Sequence, residues 1–249
     1  MDLTSLLGLA LALAGIFVGH ALDGGRMSSL LQPAAFAIVV VGTFGAVLLQ
    51  TKRRAFARGV RMLRWVFLPP PDRRPRLARD IHSWSLSARR DGLLSLEQYM
   101  ATAEPFIQKG LRLVVDGIQP DKLRSLMYTE LNNYEFRERQ AARIWESAAG
   151  YAPTVGILGA VLGLIHVMEN LSDPARLGAG IAVAFVSTIY GVGLANLFFY
   201  PVGNKIKGIV TERVAEYEIL TDVFHDIATG DFTRVIEERV ACLLAEHQG

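Results

Sequence analysis

The chain has 249 residues, a formal net charge of +2, and 51% hydrophobic residues. Its mean hydropathy of +0.29 is high for a water-soluble domain. Its single cysteine, Cys242, excludes an internal disulfide and fits a reducing compartment.

Four windows contain no Asp, Glu, Lys or Arg: 3–22, 27–51, 147–168 and 177–204. A helix needs about 20 apolar residues to cross a hydrocarbon core about 30 Å thick. A helix facing water keeps a polar stripe, so the four windows predict four membrane spans. The first reads as a retained span rather than a secretory signal. No basic stretch precedes it, and no small-residue cleavage pattern follows it.

Lys and Arg counts orient the spans. Segment 52–146 holds 19 of them and 205–249 holds 5, whereas the two short connectors hold only Arg26 and Arg176. This places both termini and the long loop in the cytoplasm. Four regions follow: spans 1 and 2 in 1–51, a cytoplasmic helical domain in 52–146, spans 3 and 4 in 147–204, and cytoplasmic C-terminal helices in 205–249. The fold class is an all-α membrane protein.

Within the loop, residues 55–68 alternate apolar side chains with arginines. That pattern suits either the headgroup layer or a helix packed on its neighbours. Pro69-Pro70-Pro71 ends it. A helix over 77–90 stops at Asp91-Gly92. Ser95-x-x-Gln98 has the capping-box pattern and predicts the next helix start. A helix over 105–116 ends at Asp116-Gly117. From Pro120 nothing breaks the pattern, so one rod runs on into the third span. A second rod covers 203–229, and a short helix covers 232–246.

Catalytic signatures are missing. There is no P-loop, Gly-rich dinucleotide fingerprint, His-Glu-x-x-His or Cys-x-x-Cys. The five histidines have no ligand spacing, so neither an enzyme nor a metal site is expected. The basic loop has no nucleic-acid-binding signature, and its arginines follow from topology.

The third and fourth spans are rich in small residues, including the pair Gly159 and Gly163, which lets helix backbones approach closely in lipid. They also carry Thr154, Ser187, Thr188, Tyr190 and Asn196. These either bond locally to their own helix or share a polar face. Pro153 and Pro201 each remove a backbone hydrogen bond inside a helix, producing a hinge or a static bend. No span contains Asp or Glu, so any ion path must borrow its acid from another chain.

The segments Gly150-Tyr-Ala-Pro-Thr-Val-Gly-Ile-Leu-Gly-Ala-Val-Leu-Gly-Leu164, Gly180-Ile-Ala-Val-Ala-Phe-Val-Ser-Thr-Ile-Tyr-Gly191, Ala195-Asn-Leu-Phe-Phe-Tyr-Pro201, Lys109-Gly-Leu-Arg-Leu-Val-Val-Asp-Gly117 and Ala88-Arg-Arg-Asp-Gly-Leu-Leu-Ser-Leu-Glu97 occur in this order. In them the chain resembles the MotA/PomA family of flagellar stator subunits, most closely the MotC-type members. The resemblance implies a homopentamer around a MotB/MotD-type partner that supplies the membrane aspartate. It further implies ion flow that drives the rotor protein FliG in bacterial motility and chemotaxis. It assigns Arg89, Arg90 and Glu97 to the rotor contact, Pro153 and Pro201 to the membrane–cytoplasm junction, and Thr188 and Ser187 to the ion path. Ala160 stands where sodium-driven relatives carry threonine. One hydroxyl fewer for a bare cation points to H+ as the transported ion, with no cofactor. The related ExbB/TolQ energisers of outer-membrane processes are the alternative. They are usually built with three spans and a different loop order.

Overall fold

The computed structural model describes residues 2–101, 104–231 and 234–245. Among the described residues every regular element is helical. Four segments are long and apolar enough to cross a membrane: Leu3–Leu22, Met27–Gln50, and parts of Pro120–Glu169 and Leu177–Thr229. The chain divides into two compact units, 1–69 with 138–208 and 70–137 with 209–249.

The first unit opens with α1 (Leu3–Leu22). Asp2 caps it, accepting from Thr4 N at 3.0 Å and Ser5 N at 3.4 Å. None of its residues is buried, as suits a helix whose solvent is lipid. After the turn at Gly24 (φ +77°), a short 3₁₀ turn leads to Pro33. The second span is α2 (Pro33–Phe36), a π-helical turn (Ala37–Val41) and α3 (Gly42–Gln50). No proline accompanies that π turn, and nothing in the sequence signalled it.

The helix expected over 55–68 is α4 (Arg53–Phe67), and it is packed on its neighbours. Its buried residues are Gly59, Met62 and Val66. Trp145 Nε1 donates to the Gly59 carbonyl at 3.0 Å. A methyl group on Gly59 would lie 2.3 Å from the Ala141 carbonyl, so only glycine allows this approach. Arg58 forks onto Glu138 at 2.5 and 2.7 Å. Phe44, Phe56, Trp145, Phe198 and Phe199 form an aromatic cluster with centroids 5.7–6.4 Å apart. Packing therefore groups 52–69, 138–146 and 205–208 with the apolar helices.

The second unit contains α5 (Arg74–Asp91), a 3₁₀ segment (Leu93–Tyr99), α6 (Pro105–Val115) and α10 (Arg234–Ala245). It also holds the first part of α7 (Pro120–Glu169) and most of α9 (Tyr200–Thr229). Trp84 stacks on Phe224 at 5.7 Å. Gly110 leaves room for the Phe224 ring, which a Cβ there would meet at 2.2 Å. Phe106 stacks on Tyr217 at 4.0 Å. Leu96, Leu111, Leu123, Met127 and Leu220 are fully buried.

The expected breaks fall at Gly92 (φ +83°) and Gly117 (φ +66°), where the left-handed region favours glycine. The capping box does not form. Ser95 lies inside the 3₁₀ segment and its hydroxyl donates to the Gly92 carbonyl at 2.7 Å. The positive φ of Gly92 sends the chain directly into that tight turn, before a helix can start at Ser95. The long rod is continuous over Pro120–Glu169. The final helix covers Arg234–Ala245; positions 232, 233 and 246 lie outside the described residues.

Candidate functional site

Two places hold the residues singled out by sequence. The first is the packing of α7 against α8 (Pro174–Leu194), within the apolar unit. Close approaches recur along both helices. A Cβ on Gly156 would lie 2.8 Å from the Ser187 carbonyl, and one on Gly163 would lie 2.7 Å from Ala184 N. A Cβ on Gly191 would lie 2.5 Å from the Ala152 carbonyl and 3.2 Å from Pro153 Cα. The backbones touch because these positions have no side chain.

Ser187 sits inside this seam. It is 0% exposed. A Cβ on Gly159 would lie 2.7 Å from its Cβ and Oγ. Its hydroxyl has no hydrogen-bond partner among the described residues. Thr188, one residue on, is half-buried, and its hydroxyl donates to the Ala184 carbonyl at 3.4 Å. Ala160 is half-buried. Thr188 and Ala160 thus keep part of their surface open, while Ser187 does not.

The other polar groups of the spans do not gather on one face. Thr154 and Asn196 donate to carbonyls of their own helices, each at 2.9 Å. Tyr190 reaches the Leu30 carbonyl. Among the described residues Thr43 Oγ1 is the other buried hydroxyl with no partner.

Pro153 lies half-buried inside α7, which continues through it. Pro201 is exposed, at the second residue of α9. Immediately before α9 the helix widens into a π turn, Ala195–Phe199. Proline cannot donate to the carbonyl four residues back, so the π turn sits next to a weakened point of the ladder.

The second place is the turn after α5. Arg89 and Arg90 are exposed in its last turn, where their charge complements the helix C-terminus. Glu97 is exposed on the 3₁₀ segment beyond Gly92. That segment is fixed by fully buried Leu96 and by a 3.0 Å bond between Ser87 Oγ and Tyr99 OH. Three charges therefore stand on one braced turn.

Sequence reasoning missed what flanks this turn. Arg89 lines a cavity of about 120 Å³ with His82, Ser85, Ile236 and Glu237, which brings α10 beside it. Arg239 of α10 holds Asp222 at 2.8 Å and Asp226 at 2.5 Å. Arg124 reaches Asp222 from α7 at 2.9 Å. Burial opposes the charge of Arg239, but the bond to Asp226 and the charges of Asp226 and Asp222 outweigh it, so its pKa is raised. A second network joins Arg73 to Glu104 and Tyr217 to Glu104, the latter at 2.6 Å. There Arg74 and Arg213 face Glu216 at 3.8 and 3.0 Å. Burial pushes the Glu216 carboxyl up, ahead of the lowering by Arg73 and Arg74. Apart from Arg213 and Glu216, three residues apart on one helix, these pairs join residues far apart along the chain, and no local spacing could match them.

Among the described residues no cluster of His, Cys, Asp or Glu could hold a metal ion. The arrangement offers a tightly packed helix pair and a rigid charged turn.

A family model described as the MotA/TolQ/ExbB proton channel family matches residues 99–219. Motility protein A of Bacillus subtilis (strain 168) is 32% identical over 246 residues, covering 98% of this chain and 91% of that protein. Motility protein A of Helicobacter pylori (strain 26695) is 31% identical, covering 98% and 96%. Among solved structures, C. jejuni MotAB aligns with a TM-score of 0.89 at 29% identity, over 98% of this chain and 96% of that one. The flagellar MotAB stator complex from Bacillus subtilis aligns with a TM-score of 0.84 at 31% identity, over 96% and 95%.

Proposed function

The chain belongs to the MotA/TolQ/ExbB proton channel family as a multi-pass inner-membrane stator subunit of the flagellar motor, and from that premise we propose how its parts divide the work. The observation that carries the proposal is the lack of any Asp or Glu in the windows 3–22, 27–51, 147–168 and 177–204. An ion path through lipid uses an ionisable group, so a MotB/MotD-type partner supplies the membrane aspartate. The solved relatives are described as MotAB complexes, which supports that partnership. Five copies of the chain surround two of the partner. Both termini and the long loop face the cytoplasm, in keeping with the Lys and Arg counts.

Thr188 and Ala160 border the path of the ion, which is a proton. Ser187 contributes from inside the seam, setting the spacing of α7 and α8. Pro153 and Pro201, the latter beside a π turn, are the compliant points of the two long helices. Arg89, Arg90 and Glu97 meet complementary charges on FliG. Exposed charges of this kind steer and grip a transient partner and contribute little to stability.

Co-expression of the chain with its partner restores swimming to a stator-null cell. Assembly without torque would overturn the role. Swimming speed stays constant when sodium is varied at fixed proton motive force, and a sodium-dependent speed would replace the proton by sodium. Joint charge reversal at Arg89, Arg90 and Glu97 abolishes swimming, and wild-type swimming would remove them from the rotor contact.

A further inference from the structure

The outer face of α4 belongs neither to the seam of α7 and α8 nor to the charged turn after α5. The helix has five arginines: Arg53, Arg54, Arg58, Arg61 and Arg64. Arg58 is committed to Glu138, whose side chain is 2% exposed. The other four are exposed, and among the described residues none of them has an acidic partner. The apolar face is already occupied, with Gly59, Met62 and Val66 buried and Trp145 bonded to the Gly59 carbonyl. This helix is therefore not one that dips an apolar face into lipid. It is docked on protein, with its cationic side turned away.

Both ends of α4 are fixed at span boundaries. Its first residue, Arg53, follows α3 after only Thr51 and Lys52. At its other end the Phe67 carbonyl accepts from Asp2 N at 3.0 Å, and Asp2 is the N-cap of α1. Fifteen residues of helix reach about 22 Å. A rod tied to the end of one span and the start of another lies along the membrane surface, at headgroup depth. Topology alone requires positive charge on that side. It does not require four arginines on one solid-backed face with no acid near them. A guanidinium fork matches the two free oxygens of a phosphodiester, and clustered basic residues beside a span attract anionic lipid.

We propose that the outer face of α4, through Arg53, Arg54, Arg61 and Arg64, binds the headgroups of acidic phospholipids. The stator subunit then carries a bound anionic lipid belt at the level where α3 and α1 meet the membrane surface.

The test uses the full chain purified with its partner subunit, stripped of lipid, and offered an equal mixture of phosphatidylglycerol and phosphatidylcholine. Retained lipids are counted by native mass spectrometry. The wild type enriches phosphatidylglycerol. Changing all four arginines to glutamine lowers that enrichment roughly tenfold or more, since each basic residue near an anionic surface contributes a severalfold preference. The four-lysine variant keeps most of it, losing only the fork geometry. Glutamine at Arg79, Arg112, Lys122 and Arg137, four exposed basic residues of the other unit, leaves enrichment unchanged. Should the glutamine variant not fold, raised salt acts on the wild type, where enrichment must fall as screening shortens. Wild-type enrichment in the glutamine variant, an equal fall in the control, or enrichment indifferent to salt would overturn the proposal. So would a changed number of subunits at unchanged lipid, which would make the face a contact between copies.

Discussion

Replacing Gly163 by alanine tests the backbone contact between α7 and α8. The new Cβ would lie 2.7 Å from Ala184 N, 2.8 Å from the Gly180 carbonyl and 2.9 Å from Ala184 Cα. All three are backbone atoms of α8, so no rotamer change relieves the clash. Carbon atoms settle at about 3.5–4.0 Å, so the helices must part by roughly 0.5–1 Å, forfeiting about a quarter to a half of the dispersion energy at the seam. Overpacking of this kind costs about 1–3 kcal/mol. Alanine returns about 1 kcal/mol of helix propensity, leaving a net loss of up to about 2 kcal/mol. Unfolding of the purified chain in mixed micelles, followed against denaturing detergent, reads this difference. Gly15→Ala is the reference, because nothing lies within 4 Å of its Cβ position, and it should be neutral or stabilising. A Gly163→Ala chain as stable as Gly15→Ala would refute the seam. Gly159→Ala offers a second reading, since its clash is with the Ser187 side chain. Ser187→Gly should restore most of the loss, and the double-mutant cycle measures that coupling.

Trp145→Phe keeps the ring in its aromatic cluster but removes the donor to the Gly59 carbonyl, which keeps the bond of its own helix. A loss of about 0.5–1.5 kcal/mol is expected in the same unfolding assay, and no loss would mean the indole bond adds nothing to the packing. Arg239→Gln releases α10, so amide exchange across Arg234–Ala245 should accelerate while α1 and α3 keep their rates. Unchanged exchange in α10 would show that packing alone holds it. Glu216 has a folded pKa above its ordinary value of 4.5, with burial the largest cause. Its contribution to stability is therefore full below that ordinary value and is lost as pH rises through the raised folded value. Glu216→Gln should remove this decline, making the variant the more stable chain at neutral pH and no better in acid. Parallel pH profiles for the two chains would discard that assignment.

The spans were legible because a charge cannot sit cheaply in lipid, so the four charge-free windows delimit them without reference to tertiary structure. The long rods were legible for a related reason: nothing between Pro120 and Glu169 stops a helix except Pro153, and the helix carries it. Ser95 misled because a capping box is a local pattern, and the φ of Gly92 decided the geometry first. The place of Ser187 was hidden. Small residues mark where helices meet, but spacing cannot say whether the meeting helix belongs to the same chain. Here Gly159 of the same chain takes the Ser187 face, leaving Thr188 and Ala160 as the half-open positions. Pairs such as Arg58 with Glu138, and Arg239 with Asp226, depend on which helices become neighbours, and no local spacing encodes that.

Asp2 is joined to Lys205 and to the Phe67 carbonyl, while α1 has no buried residue of its own. These ties set an order of events during biosynthesis. The first span makes its ionic tie to a residue that follows the fourth. Until Lys205 is made, α1 has lipid, its contact with α4 and the backbone bond at Phe67, but no ionic tie. Its early residence in the bilayer must come from its own hydrophobicity. The Asp2–Lys205 pair can form only after the fourth span has been inserted, and so it marks completion of the bundle.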